Sequence, residues 1–105
     1  CPFRVPKFQW NTPVPLIRKC MLCVDRLTEG DEPACVKACP TGALTFGDRN
    51  ELIAEAHRRI QARPGKYVDH VYGEHEVGGT SWLYISPVPF DEIGFPTLDS
   101  RPVTV

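Results

Sequence analysis

CMLCVDRLTEGDEPACVKACP, residues 20–40, holds four of the five cysteines of this chain in two unequal pairs. Cys20 and Cys23 are separated by Met21 and Leu22, a CxxC turn that can aim two soft thiolates at one soft metal centre. Eleven residues, Val24 to Ala34, lead to the second pair, Cys35-Val-Lys-Ala-Cys39, which is followed at once by Pro40. Four-residue spacing puts Cys35 and Cys39 on one face of a helix, and Pro40 stops that helix just beyond the last sulfur. Bacterial ferredoxins run CxxCxxC and then xxxCP, with the fourth thiolate serving a neighbouring cluster. The first pair and the CxxxCP ending are both kept here, and the middle gap is stretched. The expected chemistry is iron–sulfur, with thiolate ligands and one-electron transfer.

Working outward toward the N-terminus, the chain opens on Cys1-Pro2, and the same dipeptide recurs at Cys39-Pro40. In iron–sulfur motifs Cys-Pro closes a run of cysteines, so the remainder of a motif is expected upstream of Cys1. Residues 1–19, CPFRVPKFQWNTPVPLIRK, are expected as an extended, proline-rich strap with neither helical nor strand period. Its aromatics Phe3, Phe8 and Trp10 are expected to pack as a small apolar cluster.

Downstream, Ala43 to Phe46 is expected as a short strand ended by Gly47. A helix over about 48–63 follows, with Asp48 as N-cap and Glu51 three residues later. Leu52, Ile53, Ala56 and Ile60 recur at helical spacing and form its apolar stripe, while His57 is expected to face solvent. Pro64-Gly65 ends it. Residues 80–86, TSWLYIS, are the best strand candidate, bounded by Pro87; Phe90 to Phe95 suggest one helical turn, and the rest is an extended tail. The expected fold class is α+β and loop-rich. The domain division is a cysteine region, 1–47, followed by a helix-and-strand extension, 48–105.

Eleven prolines in 105 residues favour loops over long regular elements, so a metal or disulfide staple would help a chain of this size. Twelve basic against thirteen acidic residues, net charge −1, give no electrostatic case for a nucleic-acid partner. No apolar run reaches the roughly 20 residues of a transmembrane helix. Other fates for the cysteines stay open on spacing alone. Zinc also takes CxxC pairs, although its second pair is normally CxxC as well. Disulfides would leave an odd cysteine over. A thioredoxin-like redox site would want a βαβ setting that this stretch lacks. His70 and His75 sit in a polar segment where solvation is commoner than ligation. No nucleophile–base pair, phosphate loop or paired carboxylate is legible, so turnover by this chain itself is not expected.

The stretch KCMLCVDRLTEGDEPACVKACPTGALTFG resembles the last cysteine motif of the β, electron-transfer subunit of respiratory formate dehydrogenases. The iron–sulfur subunits of membrane-bound hydrogenases and other molybdopterin or tungsten oxidoreductases share the pattern. The likeness continues through ELIAEAHRRI, YGEHEVGGTSWLYIS and PVPFDEIGFP, and CPFRVPKFQW is similar to the end of the preceding motif. The resemblance implies a ferredoxin-like fold carrying 4Fe-4S clusters. It implies that Cys20, Cys23 and Cys35 hold three corners of one cluster, that Cys39 reaches a second and Cys1 a third. It further implies a catalytic molybdopterin, tungsten or hydrogenase subunit on one side and a membrane cytochrome or quinone-reducing subunit on the other. The place implied is the periplasmic side of the cytoplasmic membrane.

Overall fold

In a computed structural model describing residues 1–103, the chain forms two compact units. One comprises Cys1 and Phe3–Gly47; the other takes Pro2 and the residues from Asp48 onward. Among the described residues, three helices, a two-stranded sheet and two single turns of 3-10 helix make up the regular structure.

The first unit begins with a correction. The proline-rich strap contains an antiparallel hairpin, β1 (Lys7–Phe8) against β2 (Ile17–Arg18), in register Lys7 to Arg18 and Phe8 to Ile17. Each strand has two residues, too short to show a period, which is why alternation was not legible. The hairpin is locked from its loop: Gln9 N–H donates to the Leu16 carbonyl at 2.9 Å, and the Thr12 hydroxyl to the carbonyls of Gln9 and Val14 at 3.1 Å. Phe8 and Trp10 pair with ring centroids 5.1 Å apart.

Two short helices then carry the cysteine segment, α1 (Val24–Thr28) and α2 (Ala34–Ala38). Gly30, at φ 81°, ends α1 by donating to Leu27, while Asp31 N–H returns to the Arg26 carbonyl at 2.9 Å. Basic side chains hold the acidic link to α2 in place. Arg26 donates to the Glu32 carbonyl at 2.9 Å and to Asp31 at 3.0 Å, and Lys37 lies 3.7 Å from the same carboxylate. Hydrogen bonding from the Glu32 amide, with Arg26 and Lys37 nearby, holds Asp31 below the usual carboxylate range. Such exposed, solvent-screened pairs set the path of the link more than its stability. The strand expected at Ala43–Phe46 is absent; those residues are irregular. No facing strand among the described residues pairs with them.

The second unit holds the core. Asp48 caps α3 (Arg49–Ala62), its carboxylate accepting from Asn50 N–H at 3.0 Å and Glu51 N–H at 3.4 Å. The expected apolar stripe is the inward face: Ile60 is buried, and Leu52, Ile53 and Ala56 are partly so. Arg49 ties the helix start to the following segment through the carbonyls of Thr80, Gly73 and Glu74, at 3.0, 3.3 and 3.2 Å. His57 does not simply face water, because its Nε2 lies 2.9 Å from Glu74.

The strand expected over 80–86 is corrected to an irregular antiparallel pairing with residues 68–73. Tyr72 and Tyr84 exchange both backbone hydrogen bonds at 2.9 Å, Val68 N–H reaches Ser86, and Thr80 N–H reaches Gly73. A regular ladder fails for a local reason. Gly73 sits at φ 98°, and the Thr80 hydroxyl takes the Trp82 carbonyl at 2.5 Å. Around Tyr72 pack His70, Tyr84, Phe90 and Phe95, and the Tyr72 hydroxyl donates to the Pro96 carbonyl. Phe90–Ile93 forms the expected single turn. Val71, Tyr72 and Phe90 join Ile60 as the buried apolar residues, each side chain contributing roughly 1.5–3 kcal/mol by leaving water.

Candidate iron–sulfur ligand region

All five cysteines are free thiols. Cys1, Cys20 and Cys35 are exposed, and Cys23 and Cys39 are half-buried.

Local backbone geometry presents the sulfurs. In the CxxC turn, Leu22 and Cys23 both adopt left-handed conformations, φ 58° and 51°, an uncommon region for residues with a Cβ. The sharp reversal brings Leu22 N–H to within 3.4 Å of Cys20 Sγ, an amide directed at a sulfur. Cys23 is also the N-cap of α1, its carbonyl accepting from Leu27 N–H at 3.1 Å.

Cys35 lies inside α2, and Cys39 is its C-cap, with backbone already extended at ψ 108°. The helix expected from the CxxxC spacing is present, and Pro40 follows its end. Cys39 then opens a turn: its carbonyl accepts from Gly42 N–H at 3.4 Å, with Gly42 at φ 68°. Pro40 at the second position and glycine at the fourth are the residues such a turn prefers. The Cys1-Pro2 dipeptide does the same. Cys1 C=O accepts from Arg4 N–H at 3.2 Å, and Arg4 is left-handed at φ 54°. The repeated dipeptide is thus a repeated piece of structure.

Around Cys39 the turn gathers donors. The Thr41 hydroxyl lies 3.5 Å from Cys39 Sγ, and the backbone amides of Leu44, Ala43 and Thr41 favour the thiolate in the same direction. Led by the Thr41 hydroxyl, these donors favour the thiolate and bring the Cys39 thiol down to about 7 from an ordinary value near 9. The hydroxyl contribution of Thr41 was not legible in the sequence, although its position two residues beyond the cysteine was the signal.

Among the described residues, no three His, Cys, Asp or Glu side chains are gathered as a metal-holding group. The test of fit for an iron–sulfur centre therefore rests on donor chemistry. Soft thiols on sharp turns, with N–H and O–H groups directed at Cys20 and Cys39, suit thiolate ligation to iron. His70 and His75 stand apart from this chemistry: His70 pairs with the buried carboxylate of Glu76, and His75 lies 3.8 Å from Glu74. Apolar side chains near the thiols differ in burial. Val36 and Leu44 are partly buried, whereas Leu22 and Phe46 are exposed, because this unit has no element long enough to turn them onto a core.

Comparison with known proteins gives a family match over residues 1–49, to the 4Fe-4S dicluster domain. A protein of Nitratidesulfovibrio vulgaris is 56% identical over 95 residues, covering 90% of this chain and 26% of its own length. The hydrogenase-2 operon protein HybA of Escherichia coli O157:H7 is 40% identical over 94% of this chain, which spans 38% of it. The iron-sulfur subunit of the nitrate-inducible formate dehydrogenase of Escherichia coli K12 is 42% identical over 81% of this chain and 29% of that subunit. The chain thus spans between about a quarter and two fifths of the length of these relatives. No solved structure matches it.

Proposed function

We propose, from the match of residues 1–49 to the 4Fe-4S dicluster domain, that this chain is the electron-relaying part of an iron–sulfur subunit. The observation that carries the proposal is the coincidence of that match with the CxxC and CxxxCP pairs on turns that aim donors at sulfur. Bound 4Fe-4S clusters supply a one-electron couple whose potential is set by charge, hydrogen bonds to sulfur and exposure. The polypeptide holds the thiolates and points amides at them. Cys20, Cys23 and Cys35 are assigned to one cluster, Cys39 to a second and Cys1 to a third, within a ferredoxin-like fold. Residues from Asp48 onward form a separate packed unit that carries no ligand in this assignment.

The partners proposed are a catalytic oxidoreductase subunit of formate dehydrogenase type and a membrane quinone-reducing subunit, on the periplasmic side of the membrane. Likeness to the formate dehydrogenase subunit supports the first. Service to a hydrogenase is the second reading, favoured by the longer match to the hydrogenase-2 operon protein, 94% of this chain against 81%. No helix among the described residues is long and apolar enough to cross a membrane.

The decisive experiment is anaerobic purification of the intact protein with iron, acid-labile sulfide and zinc analysis, followed by Cys23→Ala. A brown wild type that loses one cluster's paramagnetic signal in the variant, with the others kept, is the expected result. Colourless, redox-silent protein with zinc on its thiols would establish a structural zinc module instead.

A further inference from the structure

The two Cys-Pro turns share a backbone path but differ in their third residue. After Cys1-Pro2 comes Phe3; after Cys39-Pro40 comes Thr41. Phenylalanine has no hydroxyl to offer a sulfur. Threonine does, and here its Oγ1 lies 3.5 Å from Cys39 Sγ. With a thiol, either atom could donate; with a metal-bound thiolate only the hydroxyl can, so ligation fixes the direction of this bond. The backbone amides of residues 41, 43 and 44 also favour the thiolate, and any side chain at those positions except proline would retain them. Thr41 is therefore the part of this donor set that side-chain identity controls.

We propose that Thr41 is a positioning residue which, through its hydroxyl bond to Cys39 Sγ, raises the reduction potential of the centre that Cys39 ligates. The inference rests on the relay function proposed above. Its physical basis is that reduction adds negative charge to the sulfurs, and a hydrogen-bond donor stabilises the more negative state. The turn enforces the contact. Pro40 restricts φ just before Thr41, and the Gly42 N–H to Cys39 C=O bond closes the loop, so the hydroxyl is held beside the sulfur. The Cys1 turn, with Phe3 in the equivalent place, is left to be tuned by other means. Two sulfurs presented by similar turns thereby acquire different surroundings.

The test uses the intact, cluster-loaded protein and a redox titration followed by paramagnetic resonance, so that potential is read independently of turnover. Thr41→Val keeps the branched shape and removes the hydroxyl; Thr41→Ser keeps the hydroxyl and trims the shape. With iron and sulfide content unchanged, Thr41→Val is expected to lower the reduction equilibrium constant of one centre about three- to tenfold. Tenfold corresponds to about 59 mV for one electron. Thr41→Ser is expected to restore the wild-type potential, which a merely structural role for the side chain would not predict. Should Thr41→Val lose its cluster, Thr41→Ala against Thr41→Ser is judged by the same criterion. Potentials unchanged in the hydroxyl-free variant at full cluster content overturn the inference while leaving the relay function standing. A wild type containing neither iron nor sulfide overturns both.

Discussion

Glu76 is buried, and its carboxylate closes the loop that joins the two halves of the Tyr72–Tyr84 pairing. One oxygen accepts from Gly73 N–H at 2.7 Å and the other meets His70 Nε2 at 2.5 Å. Burial works to raise the Glu76 carboxyl, but the Gly73 amide, its own amide and His70 outweigh burial and hold it below the usual glutamate value. The sign follows: a depressed carboxyl contributes stability that is fully present above the unfolded value near 4.5 and is lost as pH falls through the folded one. Glu76→Gln is the sharpest perturbation. It keeps one acceptor oxygen but presents an NH2 to whichever partner the oxygen does not serve. Hydrogen bonds to charged groups contribute about 1.5–3 kcal/mol, and the variant removes the charge, so a loss of roughly 2 kcal/mol is expected. With a urea dependence of about 1 kcal/mol per molar, the midpoint moves down by about 2 M. Trp82, stacked on Tyr84 with centroids 6.3 Å apart, reports unfolding of this unit by fluorescence in a Trp10→Phe background. At acid pH the variant and wild type are expected to converge, because the wild type has by then lost the same charge. A shift below about 0.5 kcal/mol at pH 7, or an acid limb equally steep in both proteins, would refute the reasoning.

Gly73→Ala is expected to destabilise the second unit by more than about 2 kcal/mol, measured as a urea midpoint, since a Cβ there would collide with the Trp82 carbonyl and Thr80 hydroxyl at φ 98°. Val77, a β-branched residue at φ 51°, is expected to gain about 1 kcal/mol on replacement by glycine, seen as a melting temperature higher by several degrees. The Glu55 carboxylate, hydrogen-bonded by Arg58 and Arg59 on the next turn of α3, is held down to about 2, so its contribution is present above 4.5 and lost as pH falls toward 2. Replacing both arginines with methionine is expected to return the Glu55 titration, followed by carbon NMR, toward 4.5.

Local chemistry explains which parts were legible. The α3 cap and stripe are short-range features, and Asp48, Leu52, Ile53, Ala56 and Ile60 took the places their spacing assigns. The same holds for α2 ending beside Cys39-Pro40. The hairpin at Lys7–Phe8 and Ile17–Arg18 was missed because two-residue strands carry no period; their partners and the Thr12 bridges make them. The stretch 80–86 was misjudged because β-rich composition states a preference for extension, whereas a ladder needs a regular partner, and Gly73 denies it one.

What this sequence determined by itself is an identity of chemistry: two cysteine pairs and a repeated Cys-Pro, each a matter of residue type and near spacing, specify soft thiolates on tight turns. Only the folded chain decided that His57 serves a carboxylate rather than water and that Arg49 ties α3 to three carbonyls. The physical reason is range. Turn and cap preferences act within about four residues, while the partners of a carboxylate or a guanidinium 17 to 31 residues away are set by packing that no local preference encodes.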